Sequence, residues 1–517
     1  MRPIAALVLA GLLASPAAAT TALPPAPVPQ RSMGELQADV AAGRRSYEAI
    51  TRAYLDRIAR FDPELRAVIA VNPGAIGAAR RADAARRPAS PIFGMPILIK
   101  DNIETADAGL ATTAGSLALA DNVTGRDAPL VARLRAAGAI VLGKANLSEW
   151  ANIRSDESLS GWSAVGGQGR NPYDLARSPC GSSSGSGIAV AAGLAAAAIG
   201  TETDGSITCP AAAMGLVGLK PTVGLVSRRY IVPISASQDT AGPMTRTVAD
   251  AAALLTVIAG SDPQDAATAE ADARRGDYAR ALDPDALRGA RIGVMRYAAG
   301  FHPGTDAAFE AALAVLKAQG ATLVEVAEFP GRRDIGPSEF KVLMSELKTG
   351  LNAYLASTDP ARVKTRTLAD VIAFNIAHAD REMPLFGQDL FELAEKTAGP
   401  ADPDYVKARD TARRLAGPEG IDALLAKHQV TALVGPTLGP AWLIDPVLKD
   451  RYVGGGAGGA AAVAGYPHLT VPMGLAQGLP VGLSFVGPKW SEARLLGYGY
   501  AYEQASRARQ APARYAR

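Results

Sequence analysis

The sequence predicts an α/β protein: a single large domain on a central mixed, mostly parallel sheet flanked by helices, with a helical cap region. Three observations carry this. Short β-like runs alternate with amphipathic helical stretches from Ile92 onward and again over 291–326, the rhythm of strand–helix–strand units. Over 338–427 strand-like runs nearly vanish while helical periodicity persists, so that stretch reads as a cap over the sheet. No long linker and no internal repeat divides the 517 residues, and α/β enzymes of this length can fold as one unit.

In chain order, residues 1–19 read as a secretory signal peptide. Arg2 is its basic start, Ile4 to Leu13 its apolar run, and Ala17-Ala18-Ala19 its small-residue cleavage site. The apolar run is too short to span a bilayer, and neither cysteine sits at the cleavage site for lipid attachment. The mature chain is therefore expected to be periplasmic or secreted, with no membrane partner after cleavage. Residues 20–30, with Pro24, Pro25, Pro27 and Pro29, predict an extended, mobile tether. The domain proper spans 31–510.

Helices are expected from Ser32 and from Ser46, the second with Ile50, Tyr54, Leu55 and Ile58 at helical spacing. A strand over 68–71 precedes an Ala/Arg helix over 75–87. Its arginine pairs (Arg80, Arg81, Arg86, Arg87) have no interleaved aromatics, so they read as a solvated face and not as a nucleic-acid surface. Strands follow over 97–99 and 139–142 around a helix over 128–137. Residues 188–199 are small and apolar, a run expected to pack a helix tightly on the sheet. The pattern repeats as strands over 291–295 and 321–326 around a helix over 306–319. Strand-like runs return at 431–434, 469–471 and 481–485.

Composition narrows the function. Hydrophobic residues are 48% and charged residues 20% of the chain, which excludes a disordered or fibrous protein. A net charge of +3 predicts no nucleic-acid or anionic-membrane partner. Four histidines (His302, His378, His428, His468) stand 40 or more residues apart beside two cysteines, so no paired-ligand spacing exists and neither metal nor cofactor is expected.

The chemistry concentrates between Ser178 and Pro221. Gly181-Ser182-Ser183-Ser184-Gly185-Ser186-Gly187 could by composition be a flexible linker, but the packed run after it argues for a positioned loop. Thr201-Glu202-Thr203-Asp204-Gly205-Ser206-Ile207 is a polar turn in which Gly205 lets backbone N–H groups approach a substrate. Lys100 ends the apolar run Pro96-Ile97-Leu98-Ile99. Such a lysine ordinarily snorkels to the surface; buried beside hydroxyls, it would instead become a neutral amine base.

The ordered set Lys100, Gly181-Ser182-Ser183-Ser184-Gly185, Asp204-Gly205-Ser206-Ile207 and Gly218-Leu219-Lys220-Pro221-Thr222 resembles the amidase signature family, most strongly over 93–243. Gly166-Gly167-Gln168-Gly169-Arg170-Asn171-Pro172-Tyr173 and Ser178-Pro179-Cys180-Gly181-Ser182 look like its bacterial peptide amidases. The resemblance implies Ser206 as nucleophile, Ser182 as bridging serine in a cis peptide, Lys100 as base, and an oxyanion hole from the backbone of Thr203, Asp204, Gly205 and Ser206. By family position Asp156, Trp162 and Gln168 are expected to line the substrate pocket. Two positions depart from the common pattern: Asp204 replaces a glycine and Thr208 an arginine. Both look like the peptide-amidase branch, although Asp204 could equally cap a turn.

Rival patterns are weaker. Gly181 to Gly185 also fits the nucleophile elbow, with Ser183 as nucleophile and His428 or His468 as partner, but an all-serine interior makes that match cheap. Ser338 to Lys341 and Ser345 to Lys348 match S-x-x-K, and Lys348-Thr349-Gly350 matches K-T-G, yet all three crowd one helix. Amidotransferase subunits share the signature, but the leader sequence argues against their cytoplasmic role. Cys180 and Cys209 flank the two serines. Their compartment permits a disulfide, while two buried free thiols are the favoured reading. The expected reaction converts a carboxamide, foremost the C-terminal amide of a peptide, to carboxylate and ammonia. Small aliphatic or aryl amides are the alternative substrates, and a non-catalytic periplasmic binding protein is the alternative of another class.

Overall fold

The computed structural model describes residues 27–85 and 90–516. Residues 1–19, read above as a leader, most of the Pro-rich segment and the Arg86-Arg87 pair lie outside the described residues. Thirteen strands follow one another: β1 (Val68–Val71), β2 (Pro96–Lys100), β3 (Ile140–Ala145), β4 (Trp162–Ser163), β5 (Gly167–Gln168), β6 (Ala197–Glu202), β7 (Val217–Lys220), β8 (Thr240–Thr245), β9 (Arg291–Met295), β10 (Thr322–Val326), β11 (Ala432–Pro436), β12 (His468–Ala476) and β13 (Leu479–Val486). Strands β4 and β5 form a small hairpin. The other eleven form one sheet in the order β1-β3-β2-β6-β8-β7-β12-β13-β11-β9-β10.

The sheet is mixed, as the α/β reading requires. Parallel ladders join β3, β2 and β6 on one side and β11, β9 and β10 on the other. These are the regions where strand and helix alternate in sequence. Between them the ladders run antiparallel from β6 through β8, β7, β12 and β13 to β11. Because β2, β3 and β6 are parallel neighbours, their C-terminal ends reach the same sheet edge, the place where α/β sheets hold ligands.

Two helices start as their caps dictate: the Ser32 and Ser46 hydroxyls accept from the N–H three residues on, opening Met33–Ala41 and Tyr47–Leu65. The 188–199 run differs from expectation. Its helix, Ser184–Ala191, stops early, and Ala197 already belongs to β6. An all-small run carries no periodicity to separate helix from buried strand. Every residue of Ser184–Ala191 is buried, and the approach is close: a Cβ on Gly185 would lie 2.5 Å from the Asn146 backbone nitrogen. The described end of the proline segment is not a free tether either. Val28–Gln30 forms a helical turn with Val28 and Pro29 buried, and Gln30 donates to the Ala191 carbonyl at 3.2 Å.

From Arg332 to His428 the described chain is helical and strand-free. Its long helix, Arg332–Ala356, carries both S-x-x-K sequences. Lys341 pairs with Asp402 and Lys348 with Glu395, and Ser345 is buried. All are structural. Glu346 of this helix accepts from Ser235 and Ser237 on the sheet side and from Tyr405, which docks the helical region beside the loops leaving β6 and β7.

Candidate active site

Lys100 is the last residue of β2 and is fully buried. Its Nζ lies 2.9 Å from Ser182 Oγ and 2.8 Å from Thr201 Oγ1, with the Thr201 carbonyl at 3.3 Å. Burial pulls the ammonium pKa from 10.5 down to about 7, against the opposing charges of Asp239 and Glu202. The arrangement suits a neutral amine. Two N–H groups meet the two Thr201 oxygens, and the lone pair is left for the Ser182 hydroxyl.

Ser182 follows a cis peptide bond from Gly181 and is itself fully buried. Its carbonyl accepts from Ser148 N–H at 3.0 Å. The next residue, Ser183, donates its N–H to the Ser206 carbonyl at 3.1 Å, so the serine loop and the turn after β6 lie side by side. Glu202 fixes that turn by accepting from the N–H of Ile207 at 2.8 Å and of Thr208 at 2.9 Å. Thr203 Oγ1 donates to Asp239 at 2.6 Å. Gly205 takes φ 76°, a conformation open to glycine at no steric cost. Ser206 is 8% exposed, enough for a small reacting group to reach it from a cleft.

The cleft encloses about 370 Å³ and is walled by Cys180, Gly181, Asp204, Gly205 and Thr208 on the signature side, and by Thr437, Trp442, Asp450, Tyr452 and the glycines 455, 456, 458 and 459 opposite. Cys180 and Cys209 are joined in a disulfide with Cα atoms 6.1 Å apart, not held as free thiols. That separation lies in the normal bridging range. The bridge ties the loop two residues before Ser182 to the segment three residues after Ser206.

The elbow reading fails on geometry. Ser183 Oγ is spent on the Thr201 backbone, donating to its carbonyl at 3.0 Å and accepting from its N–H at 3.2 Å. His468 turns Nε2 to Ser484 Oγ at 2.7 Å, and burial together with Lys220 pushes its pKa down to about 3. His428 ends a helix beside the start of β9, its carbonyl accepting from the Arg291 side chain.

The three residues expected to line the pocket do not face this cleft. Asp156 is exposed, its N–H on the Asp389 carboxylate at 3.2 Å. Trp162 is a core aromatic, edge-on to Phe386 at 5.3 Å and near the buried Arg154. Gln168 spends its amide on the carbonyls of Ser160 and Gly169. Sequence reasoning also missed Thr201, Glu202 and Asp239, whose roles exist only once β6 and β8 pair, and the Trp442–Tyr452 wall. An aromatic pair ahead of the glycine run 454–459 was the available signal for that wall.

Comparison with known proteins places the chain among amidases. A family model described as Amidase matches residues 49–496. A probable amidase of Arabidopsis thaliana is 40% identical over 488 residues, covering 91% of this chain and 88% of that protein. The A subunit of a glutamyl-tRNA(Gln) amidotransferase from Roseiflexus castenholzii is 38% identical, covering 93% of this chain and 96% of that one. Among solved structures, the native peptide amidase of Stenotrophomonas maltophilia is 54% identical, with a TM-score of 0.89 over 94% of this chain and 99% of that chain.

Proposed function

The chain belongs to the amidase family and is an amide-hydrolysing enzyme, and on that premise we propose that it removes the terminal carboxamide of peptides through a Ser206–Ser182–Lys100 relay. The observation that carries the proposal is the buried Lys100–Ser182 contact of 2.9 Å beside the Ser206 turn. Neutral Lys100 takes a proton from Ser182, which takes one from Ser206, so that the Ser206 oxygen can attack the amide carbon. Negative charge develops on the carbonyl oxygen, where the backbone N–H groups of Thr203, Asp204, Gly205 and Ser206 receive it. The relay then returns the proton to the leaving nitrogen, the C–N bond breaks, and ammonia departs from an acyl-Ser206 ester. Water attacks the ester with the same relay as base, giving the carboxylate and free Ser206.

Two features support a primary amide over an internal peptide bond. Lys100 and Ser182 are fully buried, so the space behind the nucleophile suits an –NH₂ group better than a continuing chain. The 54% identity to a peptide amidase points to the peptide-linked end of the substrate range. Small aliphatic or aryl amides are the fallback class. Export is part of the proposal: the leader-like pattern of residues 1–19 and a disulfide both suit an oxidising compartment. Ammonia release from an acetylated peptide amide, abolished by Ser206→Ala, is the test. Release by that variant at the wild-type rate assigns the nucleophile elsewhere.

A further inference from the structure

The charge around the cleft is one-sided. Asp204 lines it on the signature side and Asp450 on the opposite wall, whereas no lysine or arginine among the described residues lines it. Burial raises the pKa of Asp450, and the Ser160 N–H at 3.0 Å and the Trp442 indole N–H at 2.9 Å, both donating to it, oppose that rise. Behind Asp204 lies Glu339 of the cap helix, hydrogen-bonded to it and accepting from Gln238 at 2.8 Å. Lys220 faces Asp204 from the sheet, fully buried and outnumbered by Glu202 and Glu492 beside it. Arg177, Lys449 and Arg451 belong to a separate cavity of about 290 Å³ beyond Trp442. His468, at a pKa of about 3, is uncharged at neutral pH.

We propose that this cleft selects amides whose amide-bearing residue carries a positive charge, and that the Asp204 carboxylate is the group that reads it. The proposal rests on the amide-hydrolysis reading of the same cleft and names its substrate class. Asp204 stands two residues from Ser206, so a charged side chain on the acyl part of the substrate falls within its field when the amide carbon is at the nucleophile. A walled cleft strengthens that field relative to open water. The same field disfavours anionic side chains. It also repels the carboxylate formed on hydrolysis, which the neutral amide lacked. Desolvation first, then Glu339 and Glu202, raise the pKa of Asp204 well above the usual carboxylate range. A cation docked beside Asp204 opposes that rise, because an opposite charge favours the ionised carboxylate.

The test uses the whole enzyme and three N-acetylated dipeptide amides ending in lysinamide, norleucinamide and glutamic acid α-amide. Initial ammonia release gives kcat/KM for each at low and at high salt. Lysinamide should exceed the glutamic acid amide by about tenfold or more at low salt, with norleucinamide between, and the ratio should shrink as salt screens the field. Asp204→Asn should bring the ratio to within about threefold of unity, whatever its effect on the absolute rate. Should that variant be inactive, the wild-type ratio and its salt dependence decide. Equal rates on all three amides, or an unchanged ratio in Asp204→Asn, overturn this inference and leave amide hydrolysis standing. Hydrolysis of none of the three overturns both this inference and the peptide-amide reading.

Discussion

If Lys100 is the general base, kcat/KM must fall on the acid side with a group that titrates near neutrality. Burial carries this lysine from 10.5 to about 7. That drop raises the ratio of neutral to charged amine roughly three-thousandfold: at about pH 7 near half of Lys100 is neutral, against about 0.03% of an exposed lysine. At about pH 5 the neutral share falls to about 1%, so kcat/KM should be some 50- to 100-fold lower there than at about pH 8. Asp239 is the strongest charge resisting the shift. Removing it in Asp239→Asn should move the acid limb to lower pH, and the midpoint is the readout because Asp239 also holds Thr203 and the N–H groups of Ile234 and Ser235. The assay is initial-rate ammonia release from a neutral peptide amide between about pH 5 and 9, with folding followed in parallel by circular dichroism. A flat profile, or a limb that Asp239→Asn moves upward, would refute Lys100 as the base.

Other changes have definite expected outcomes. If the three act as one relay, Lys100→Ala, Ser182→Ala and Ser206→Ala should each lower kcat by about 10³-fold or more, with the triple variant little worse than the singles; Lys100→Arg, which cannot deprotonate, should match Lys100→Ala. Replacing Cys180 and Cys209 by serine opens a closure of 29 residues and should cost about 3–4 kcal/mol in denaturant unfolding, by chain entropy. Arg154 is fully buried and joins Glu149 and Glu382; Arg154→Met leaves both carboxylates without their cation and should cost about 3–5 kcal/mol, read as a fall in the unfolding midpoint.

What the sequence revealed follows from what local pattern can encode. The outer parallel ladders were legible because strands β2, β3, β9 and β10 alternate with helices of clear period. The antiparallel middle was not: β8 reads Thr-Ala-Gly-Pro-Met-Thr with every residue buried, so no polar face alternates with an apolar one. Lys100, Ser182 and Ser206 could be picked out by ordered motif, and the fold brings their segments together across 82 and 24 positions of sequence. The residues that tune them could not. Thr201 matters because β6 lies beside β2, and Asp239 because the loop before β8 returns under Thr203. Asp156, Trp162 and Gln168 show the converse. A position near a motif says little about side-chain direction: Asp156 sits exposed by Asp389, Trp162 packs between Phe386 and Arg154, and Gln168 is bonded to the Ser160 and Gly169 carbonyls.

On the proposed reading, Ser206 exchanges a terminal –NH₂ for –OH and leaves internal peptide bonds intact. Mass spectrometry of a peptide amide incubated with the enzyme reads this directly. One product, heavier by about one mass unit, should form with the wild type and not with Ser206→Ala. Shorter fragments from internal cleavage, or the same product from Ser206→Ala, would contradict it.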